Sequence, residues 1–296
     1  MAEKIHIGVV SRLTSGTIDK ELAQEARKRG HRYEQIVFDT VNITKVEKTF
    51  EALHLLDYDV LYYRTSLGIV WARALQRYLL HSGRRAINLR AVELPFLGDK
   101  SLQTLAVATA GIRTPVTVLD ATQSHDAIVE EVGTPFVAKA NNSAQGRDVH
   151  LIHTEEEFKV LLKERQHTDY LYQEYVAHEY DCRIHLVAGK PVAGYRRMKM
   201  INDFRCNVSL GAEMMPLSEA DKTALFPLAE QVADLLKLDL HVVDFLRSKE
   251  SGEYYFVEIN DNPGWGLSDK DATGVDMSAL VIDYFERVAA EHKRDK

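Results

Sequence analysis

The chain has 296 residues, 45% of them hydrophobic and 27% charged, which is an ordinary composition for a globular protein and argues against disorder. Its net charge of −7 provides no bulk attraction to nucleic acid or to an anionic membrane, so any anion binding is expected to be local. No apolar run approaches the roughly 18 residues of a membrane-spanning helix, and no secretory leader is recognisable. The two cysteines, Cys182 and Cys206, form no C-x-x-C motif, and a reduced, cytoplasmic protein is therefore expected.

The first third of the chain alternates strand and helix patterns in βαβ order, which predicts an N-terminal α/β domain with a parallel sheet. Strands are predicted at I-H-I-G-V-V, Y-E-Q-I-V-F, D-V-L-Y-Y-R and A-I-N-L, and helices from about Asp19 to Arg29 and from about Ile69 to His81. Arg12 and Arg64 follow the first and third strands. Because open α/β sheets bind ligands at the carboxyl ends of their strands, both arginines are expected to border a substrate site.

The remaining two thirds mix helices with antiparallel strand patterns. A helix is predicted from Asp99 to Gly111, then a small α/β unit with a helix at 126–132, the strand P-F-V-A-K-A, a polar loop at 141–148, the strand V-H-L-I-H, and a helix that starts with a Thr154–Glu157 capping box. The later elements are the strand Y-L-Y-Q-E-Y-V, a hairpin turning at Gly189-Lys190-Pro191, a helix from Ser218 to about Lys237, a second hairpin, and a C-terminal helix from about Asp276.

The second hairpin carries three oxygen donors. Its strands are H-V-V-D-F-L-R at 241–247 and Y-Y-F-V-E-I-N-D-N-P-G at 254–264, and a turn centred near Ser251 sets Asp244 opposite Glu258. Asn260 lies two residues beyond Glu258 and returns to the same face. Two carboxylates and an amide oxygen are a ligand set for Mg²⁺ or Mn²⁺. The alternative, that these are solvated residues of an ordinary hairpin, stays equally open on this segment alone.

Basic side chains accompany this hairpin, although the common phosphate-binding motifs, G-x-x-x-x-G-K-[ST] and G-x-G-x-x-G, are absent. Lys139 ends the strand P-F-V-A-K-A before the loop N-N-S-A-Q-G-R-D, where a lysine and loop N–H groups can hold phosphate oxygens. Arg196 and Arg197 precede D-F-R-C-N, and arginines facing a metal site suit a transferring phosphate. Taken singly, a surface lysine before a turn and a charged outer strand are the simpler interpretations.

Taken together, these segments resemble the ATP-grasp superfamily, most closely its RimK-like carboxylate–amine ligases of the α-L-glutamate ligase type. The resemblance runs from about Asp99 to the C-terminal helix. Its elements, in order, are G-D-K-S-L, T-P-F-V-A-K, Y-Q-E-Y-V, D-C-R, Y-R-R with D-F-R-C-N, V-D-F-L-R and F-V-E-I-N-D-N-P-G. The resemblance implies an ATP-grasp fold of α/β and α+β type, with an N-terminal parallel-sheet pre-ATP-grasp domain at 1–95, an ATP-grasp domain at 96–296, and a lid subdomain at about 124–172.

The resemblance also implies roles for individual residues. Those implied to contact ATP are Lys100 and Lys139 at the phosphates, Gln145 and Gly146 in the loop, Glu174, Tyr175 and Val176 beside the adenine, and Asp181 at the ribose. Asp244, Glu258 and Asn260 would hold two Mg²⁺ or Mn²⁺ ions. Arg205 and Asn207 would act at the γ-phosphate and at the acyl-phosphate made from it. One departure concerns the loop after Lys139, which is usually glycine-rich in the family but here has Ser143, Ala144 and Asp148 where glycines are common.

The implied activity is an ATP-dependent carboxylate–amine ligase that forms an amide or peptide bond through an acyl-phosphate. The partners would be ATP, a carboxylate acceptor and an amino acid such as glutamate or another amine, with no nucleic acid and no membrane; homo-oligomerisation stays open. Two alternatives are a ligase that joins other amino acids or modifies a peptide, and a catalytically weak nucleotide-binding regulatory protein. The complete Asp244, Glu258 and Asn260 set argues against lost catalysis, while the glycine-poor loop argues mildly for it.

Overall fold

The computed structural model describes residues 3–11, 16–37, 42, 44–45, 47–48, 51, 57–64, 70–81, 86–94, 96–120, 122–141, 148–165, 168–200, 203–206 and 212–294. Six residues singled out from the sequence lie outside these ranges: Arg12, Ser143, Ala144, Gln145, Gly146 and Asn207. Within them, no helix combines the length and the apolar character needed to span a membrane.

The N-terminal part is built on a three-stranded parallel sheet, as predicted. Its strands are β1 (His6–Val10), β2 (Arg32–Ile36) and β3 (Val60–Tyr63), in the order β2-β1-β3, and its helices are α1 (Thr17–Lys28) and α2 (Val70–His81). The two helices pack on opposite faces of the sheet. Because successive side chains of a strand alternate between faces, Tyr62 packs on the α1 side and Tyr63 on the α2 side.

The predicted fourth strand, A-I-N-L, is wrong. Ile87 makes a single parallel bridge to Tyr62, and Leu89–Glu93 then form a 3₁₀ helix. The cause is Asn88, whose φ of 60° turns the chain and whose side-chain amide bonds the backbone of Leu240, accepting from its N–H at 2.8 Å and donating to its carbonyl at 2.6 Å. The segment therefore joins the parallel sheet to the C-terminal part rather than extending it.

The segment predicted to form a lid folds as a four-stranded antiparallel sheet, here called the lid sheet, with helices on one face. After α3 (Lys100–Thr109) come β4 (Thr117–Val118), α4 (His125–Val132), β5 (Phe136–Ala140), β6 (Val149–Ile152), α5 (Glu155–Glu164) and β7 (Tyr170–Glu174), and the strand order is β4-β7-β5-β6. Phe136 and Ala138 of β5 point into a core formed with α4 and α5. By alternation, Val137 and Lys139 point the other way.

Only half of the predicted capping box at α5 forms. Thr154 Oγ1 accepts from the Glu157 N–H at 3.2 Å, but the Glu157 carboxylate accepts from His153 N at 2.7 Å instead of from the cap residue. A complete box occurs at Ser218 and Asp221, where the sequence analysis had named only the helix start.

The C-terminal part contains a five-stranded antiparallel sheet, here called the central sheet, with the strand order β10-β9-β8-β11-β12. Its elements are β8 (Tyr180–Val187), β9 (Lys190–Met198), β10 (Met214–Pro216), α6 (Glu219–Leu236), β11 (Leu240–Arg247), β12 (Tyr254–Asn260), α7 (Leu267–Thr273) and α8 (Met277–Arg294). α6 covers one face together with α3. The elements β10 and α7 were not predicted, because they are short and have no periodic pattern.

Both predicted hairpins form. In the second, Asp244 pairs with Glu258 and Val242 with Asn260, so the predicted register is confirmed, and a bulge follows Asp244. The first hairpin turns at Ala188 and Gly189, one residue earlier than predicted, and both have positive φ as in a type I′ turn. Lys190 and Pro191, which were predicted in the turn, belong to β9. The oxygen donors of the second hairpin therefore share one face of the central sheet.

Candidate active site

A cleft lies between the inner face of the lid sheet and the central sheet. The residues that line it include Lys100, Lys139, Glu174, Tyr175, Val176, Asp181, Arg205, Asp244 and Glu258. Nine of the residues predicted from the sequence are thus brought together in one cleft. Asn260 is not among the lining residues, but its amide nitrogen donates to Glu258 Oε1 at 3.2 Å.

Lys100 and Lys139 are brought side by side by Asn141, which follows β5. Its side-chain amide accepts from Ser101 N and donates to Asp99 Oδ2, each at 2.9 Å, which ties the start of α3 to the end of β5. Asp99 is also the N-cap of α3. Lys139 belongs to the face of β5 that looks into the cleft, so both ammonium groups reach the same space.

The two lysines share one anion, Glu258. Burial lowers the pKa of Lys139 to about 8, the charge of Glu258 opposes this, and the charge of Lys100 adds to it. Burial likewise lowers the pKa of Lys100, while Glu258 and Asp99 raise it. Burial disfavours the charged form of each lysine, whereas a nearby anion favours it. Binding of an anion would therefore raise the lowered pKa values again and recover the free energy that burial costs. This end of the cleft is therefore suited to a polyanion.

Asp244 is the anionic centre of the cleft floor. Arg183, its partner across β8 and β11, donates to it in bidentate fashion at 2.9 and 2.7 Å, and Arg197 approaches at 3.1 Å. Burial alone would raise the pKa of Asp244, but the two guanidinium groups hold it well below its usual range. Asp244 is therefore ionised although it is only 1% exposed.

Arg197 also binds Asp181, with hydrogen bonds of 2.6 and 2.7 Å to its two carboxylate oxygens. Burial raises the pKa of Asp181 to about 6, against the attraction of Arg197. One arginine therefore joins the residue expected at the ribose to the residue expected at the metal. Asp181 faces the cleft as predicted, but its carboxylate is already engaged.

The expectation that both arginines of Y-R-R face the site is wrong for Arg196. Successive strand residues alternate, so Arg197 points into the cleft and Arg196 to the opposite face. There Arg196 donates to Asp221 at 2.7 Å and to Ser218 at 2.9 Å, the two residues of the α6 capping box. Its role is structural.

The hinge between lid and central sheet, residues 174–176, closes the other end of the cleft. Glu174 pairs with Val116, accepting from its N–H through the carboxylate at 3.2 Å and donating its own N–H to the carbonyl at 2.9 Å. His178 lies 2.7 Å from the Val176 carbonyl and 2.9 Å from the Phe204 carbonyl, which links the hinge to the loop of Arg205. Apolar side chains line the space beside the hinge: Val137, Val176, Phe204, Leu246 and Val257.

Arg205 lies at the cleft mouth. Its guanidinium bonds the Asp203 carboxylate, Nε to Oδ1 at 2.9 Å and one terminal nitrogen to Oδ2 at 2.6 Å. This pairing lowers the pKa of Asp203 and raises that of Arg205. Arg205 is about 29% exposed, so it retains access to an incoming anion. Its proposed companion Asn207 lies outside the described residues.

The donor set agrees with a hard divalent cation. Among the described residues, no three or more His, Cys, Asp and Glu side chains group as a metal site. The hairpin instead offers two carboxylates and an amide, and such sites are completed by water and phosphate oxygens. Three arginine N–H groups occupy lone pairs of Asp244, while Glu258 accepts a hydrogen bond from Asn260 and from no other described residue. Glu258 is therefore the donor best able to take a cation.

Several conspicuous residues have packing roles. Cys182 and Cys206 are buried free thiols, and burial raises the pKa of each, so neither suits nucleophilic chemistry. Trp265 is buried and donates to Ser278 at 3.0 Å. Arg183, the last residue of D-C-R, was given no function from the sequence. Its two-residue spacing from Asp181 was a signal, but its pairing with Asp244 depends on strands about sixty residues apart.

Two solved structures have the same architecture. The ATP-grasp ligase PsnB, complexed with minimal precursor, matches with a TM-score of 0.73 over 97% of this chain and 100% of its own, at 15% identity. D-alanine–D-alanine ligase from Bacillus anthracis, complexed with ATP, matches with a TM-score of 0.68 over 99% of each chain, at 16% identity. These likenesses establish the fold, and the predicted ATP-grasp fold class is confirmed.

Residues 98–285, more than half of the chain, match the model of the RimK-like ATP-grasp domain, and the protein belongs to that family. A probable alpha-L-glutamate ligase of Aliivibrio fischeri (strain MJ11) is 28% identical over 305 residues, which cover 98% of each chain. Another, from Picosynechococcus sp. (strain ATCC 27264 / PCC 7002 / PR-6), is 35% identical over 204 residues, which cover 66% of this chain and 64% of that relative. The predicted class is confirmed: the protein is an ATP-dependent ligase that forms C–N bonds, and ATP with a divalent metal ion is the cofactor set typical of the family.

Proposed function

We propose that this ligase joins an amino acid such as glutamate to a carboxylate acceptor, with cleavage of ATP to ADP and phosphate. The observation that carries the proposal is the convergence of Lys100 and Lys139 on Glu258 beside an ionised Asp244. Cations with disfavoured charge next to hard oxygen donors suit a metal-bound polyphosphate rather than an isolated small anion.

Within this proposal ATP lies along the cleft. The apolar space beside hinge residues 174–176 suits the adenine, and the two lysines suit the phosphates. Asp181 would meet the ribose, with Arg197 holding its carboxylate in place. The loop that contains Gln145 and Gly146 follows Lys139 directly and would cover the phosphates. Asp244, Glu258 and Asn260 would hold two Mg²⁺ or Mn²⁺ ions, which when bound offset the charge of the phosphoryl oxygens.

The proposed reaction makes and breaks bonds in two stages. An acceptor carboxylate oxygen attacks the γ-phosphorus, the bond to the β–γ bridging oxygen breaks, and ADP leaves. The amine nitrogen then attacks the acyl carbon, phosphate departs with the bonding electron pair, and the amine loses a proton. Lys139, Arg205 and Asn207 would stabilise the negative oxygens of the transferring phosphoryl group and of the acyl-phosphate. Because water would hydrolyse that intermediate, closure of the lid sheet over the cleft is required.

The names of related proteins, and not contacts in this structure, support glutamate as the amino acid that is added. Curated relatives over nearly the whole chain are named probable alpha-L-glutamate ligases. We also propose that residues 1–95 form the acceptor-side domain and 96–296 the ATP-grasp domain, with the lid at 124–172. The two unpaired thiols are in keeping with a cytoplasmic location.

The test is ADP release by the full chain with ATP and Mg²⁺ or Mn²⁺ against a matrix of acceptors and amines. Acceptors would be free L-glutamate, a peptide ending in glutamate and a peptide ending in alanine, each offered with every common L-amino acid. Mass spectrometry of the products is expected to show acceptor plus donor minus water, with glutamate as the preferred donor. Lys139→Met is the inactive control, and Lys163→Met, on the exposed side of α5, is its matched active control.

Two results would contradict the proposal. ADP release that requires no amine would indicate a different phosphoryl acceptor. If the protein binds ADP but no acceptor–amine pair leads to formation of ADP from ATP, the alternative of a regulatory nucleotide-binding protein is favoured instead.

A further inference from the structure

A second groove lies along the outer edge of the lid sheet. Its walls are β6, one stripe of α5, and a side that includes Lys199, Phe204 and Arg205. All four residues of β6 line it. Because successive side chains of a strand point to opposite faces, a groove that touches every residue of β6 runs along the backbone edge of the strand. We call it the edge groove.

The backbone of β6 is paired on one side only. β6 is the last strand of the lid sheet and, in the described part of the chain, it pairs with β5 alone. Ala140 donates its N–H to the Asp148 carbonyl at 2.9 Å, and the bonded pairs of an antiparallel ladder alternate from there. By that alternation Val149 and Leu151 turn their N–H and C=O groups toward the edge groove. No described residue pairs with these backbone groups.

Two other sheet edges are shortened or covered, as is usual in proteins that avoid edge-to-edge pairing. The opposite edge strand of the lid sheet, β4, has only two residues. At the edge of the central sheet, β12 bonds Arg113 through Phe256 and Gln103 through Ile259. β6 instead has the sequence V-H-L-I, with no proline, no Lys, Arg, Asp or Glu, and no bulge. Its edge is therefore suited to pairing with another strand.

On the helix face of the lid sheet the edge groove is acidic. Its lining there is a stripe of α5, in which Glu156 and Glu164 lie on either side of Val160, a side chain that is 54% exposed. Both glutamates are exposed, and neither forms an ion pair or accepts a hydrogen bond within the described chain. Basic side chains are therefore the complement of this face.

On the opposite face the edge groove is aromatic. Tyr175 and Phe204 lie there with ring centroids 6.4 Å apart, and both also line the nucleotide cleft. The two cations of this wall are already engaged, since Lys199 donates to the Tyr175 hydroxyl at 3.3 Å and Arg205 pairs with Asp203. Apolar side chains are therefore the complement of this face.

We propose that the edge groove binds an extended segment of a partner polypeptide, which adds a fifth, antiparallel strand to the lid sheet. Antiparallel addition continues a sheet in which every described pairing is antiparallel. Partner residues opposite Val149 and Leu151 share their face, so their side chains lie on the aromatic wall and their N–H groups bond β6. The residues between them direct their side chains to Glu156 and Glu164 and their N–H groups to solvent. The recognised pattern is therefore an alternation of basic and apolar residues.

The probe is the peptide acetyl-Lys-Val-Lys-Leu-Lys-amide, titrated calorimetrically into the full chain without nucleotide, so the result does not depend on ligase activity. Two derivatives carry a pair of N-methyl groups, either on Val and Leu or on the last two lysines. Methylation at Val and Leu removes the N–H groups that bond β6 and is expected to weaken binding on the order of tenfold. Methylation at the lysines should leave the affinity nearly unchanged. The order Lys-Lys-Val-Leu-Lys keeps the charge but breaks the alternation, and it should also bind on the order of tenfold more weakly.

On the protein side, a double variant with Glu156→Gln and Glu164→Gln removes both charges of the acidic face, and Glu155→Gln is the matched control. Glu155 is an exposed neighbour on α5 that does not line the groove. The double variant is expected to weaken binding of the alternating peptide about fivefold, and the control should not weaken it. The thermal midpoint should be retained in both proteins, because exposed charges contribute little to stability.

Three outcomes would overturn the inference: no binding of the alternating peptide to the wild type, equal affinity of the two methylated derivatives, or an equal loss in Glu155→Gln and in the double variant. Equal affinity of the reordered peptide would reduce the interaction to net charge and would overturn it too. Sedimentation tests the remaining occupant. If the free chain is a dimer that the peptide dissociates, a second copy of this chain occupies the groove, and a partner polypeptide does not.

Discussion

Replacing Lys139 by methionine is expected to stabilise the free protein while it removes nucleotide binding. The Lys139 ammonium has no hydrogen-bonding partner among the described residues, and burial lowers its pKa to about 8 in spite of the opposing charge of Glu258. Methionine keeps an unbranched apolar side chain and removes the charge that burial disfavours.

The size of the effect follows from the difference between the folded pKa of about 8 and the ordinary value of 10.5. Below pH 8 the lysine is charged in both states, so the folded state bears the whole penalty, which is at most about 3–4 kcal/mol at roughly 1.4 kcal/mol per pKa unit. Between about pH 8 and 10.5 the unfolded chain binds more protons than the folded one, so the wild type gains stability as pH rises. The advantage of Lys139→Met should therefore shrink to about 1.4 kcal/mol at pH 9.5.

Urea denaturation at pH 7 and pH 9.5 measures this advantage, and calorimetric titration with ADP measures binding, which is expected to weaken at least tenfold. Lys163→Met, an exposed substitution on α5, should change neither. A Lys139→Met variant that is less stable than the wild type at pH 7, or whose advantage is the same at both pH values, would refute the reasoning. Unchanged ADP affinity would remove Lys139 from the phosphate site.

Further substitutions separate turnover from stability. Asp244→Asn is expected to abolish ligation and to destabilise by about 3–5 kcal/mol, because the buried Arg197 and the partly buried Arg183 lose their shared anion. Glu258→Gln should abolish ligation with little change in thermal midpoint. Turnover in either variant would contradict the metal-ligand roles. Arg205→Ala should lower kcat on the order of a hundredfold with little change in the KM for ATP, and Arg205→Lys should restore little of the lost kcat. Steady-state ADP release measures both parameters. An effect confined to the KM for the carboxylate substrate would instead show that Arg205 binds that substrate. Arg196→Ala should lower the thermal midpoint and keep kcat, whereas Arg197→Ala should lower both, and equal kcat values would contradict their placement on opposite faces.

Local information in the sequence was sufficient to predict most helices and strands and the register of the second hairpin. Helix starts were predictable at Asp99 and Ser218, because an N-cap side chain bonds backbone N–H groups within the first turn. A helix end was predictable at Gly111, which has a positive φ. The pairing of Asp244 with Glu258 was predictable because a short turn determines how two consecutive strands align. The order of seven short segments identified the family, and with it the reaction class.

Only the tertiary structure determined which charged side chains contact one another. Asp244 was expected as an open metal ligand, but β8 and β9 bring Arg183 and Arg197 onto it, and pairing between strands so distant along the chain is set by the whole sheet. The lowered pKa of Lys139 depends on burial between lid and central sheet, which no local pattern contains. Sequence specifies what each residue can do chemically, and burial, which depends on all the packed elements at once, decides which of those groups keep their charge.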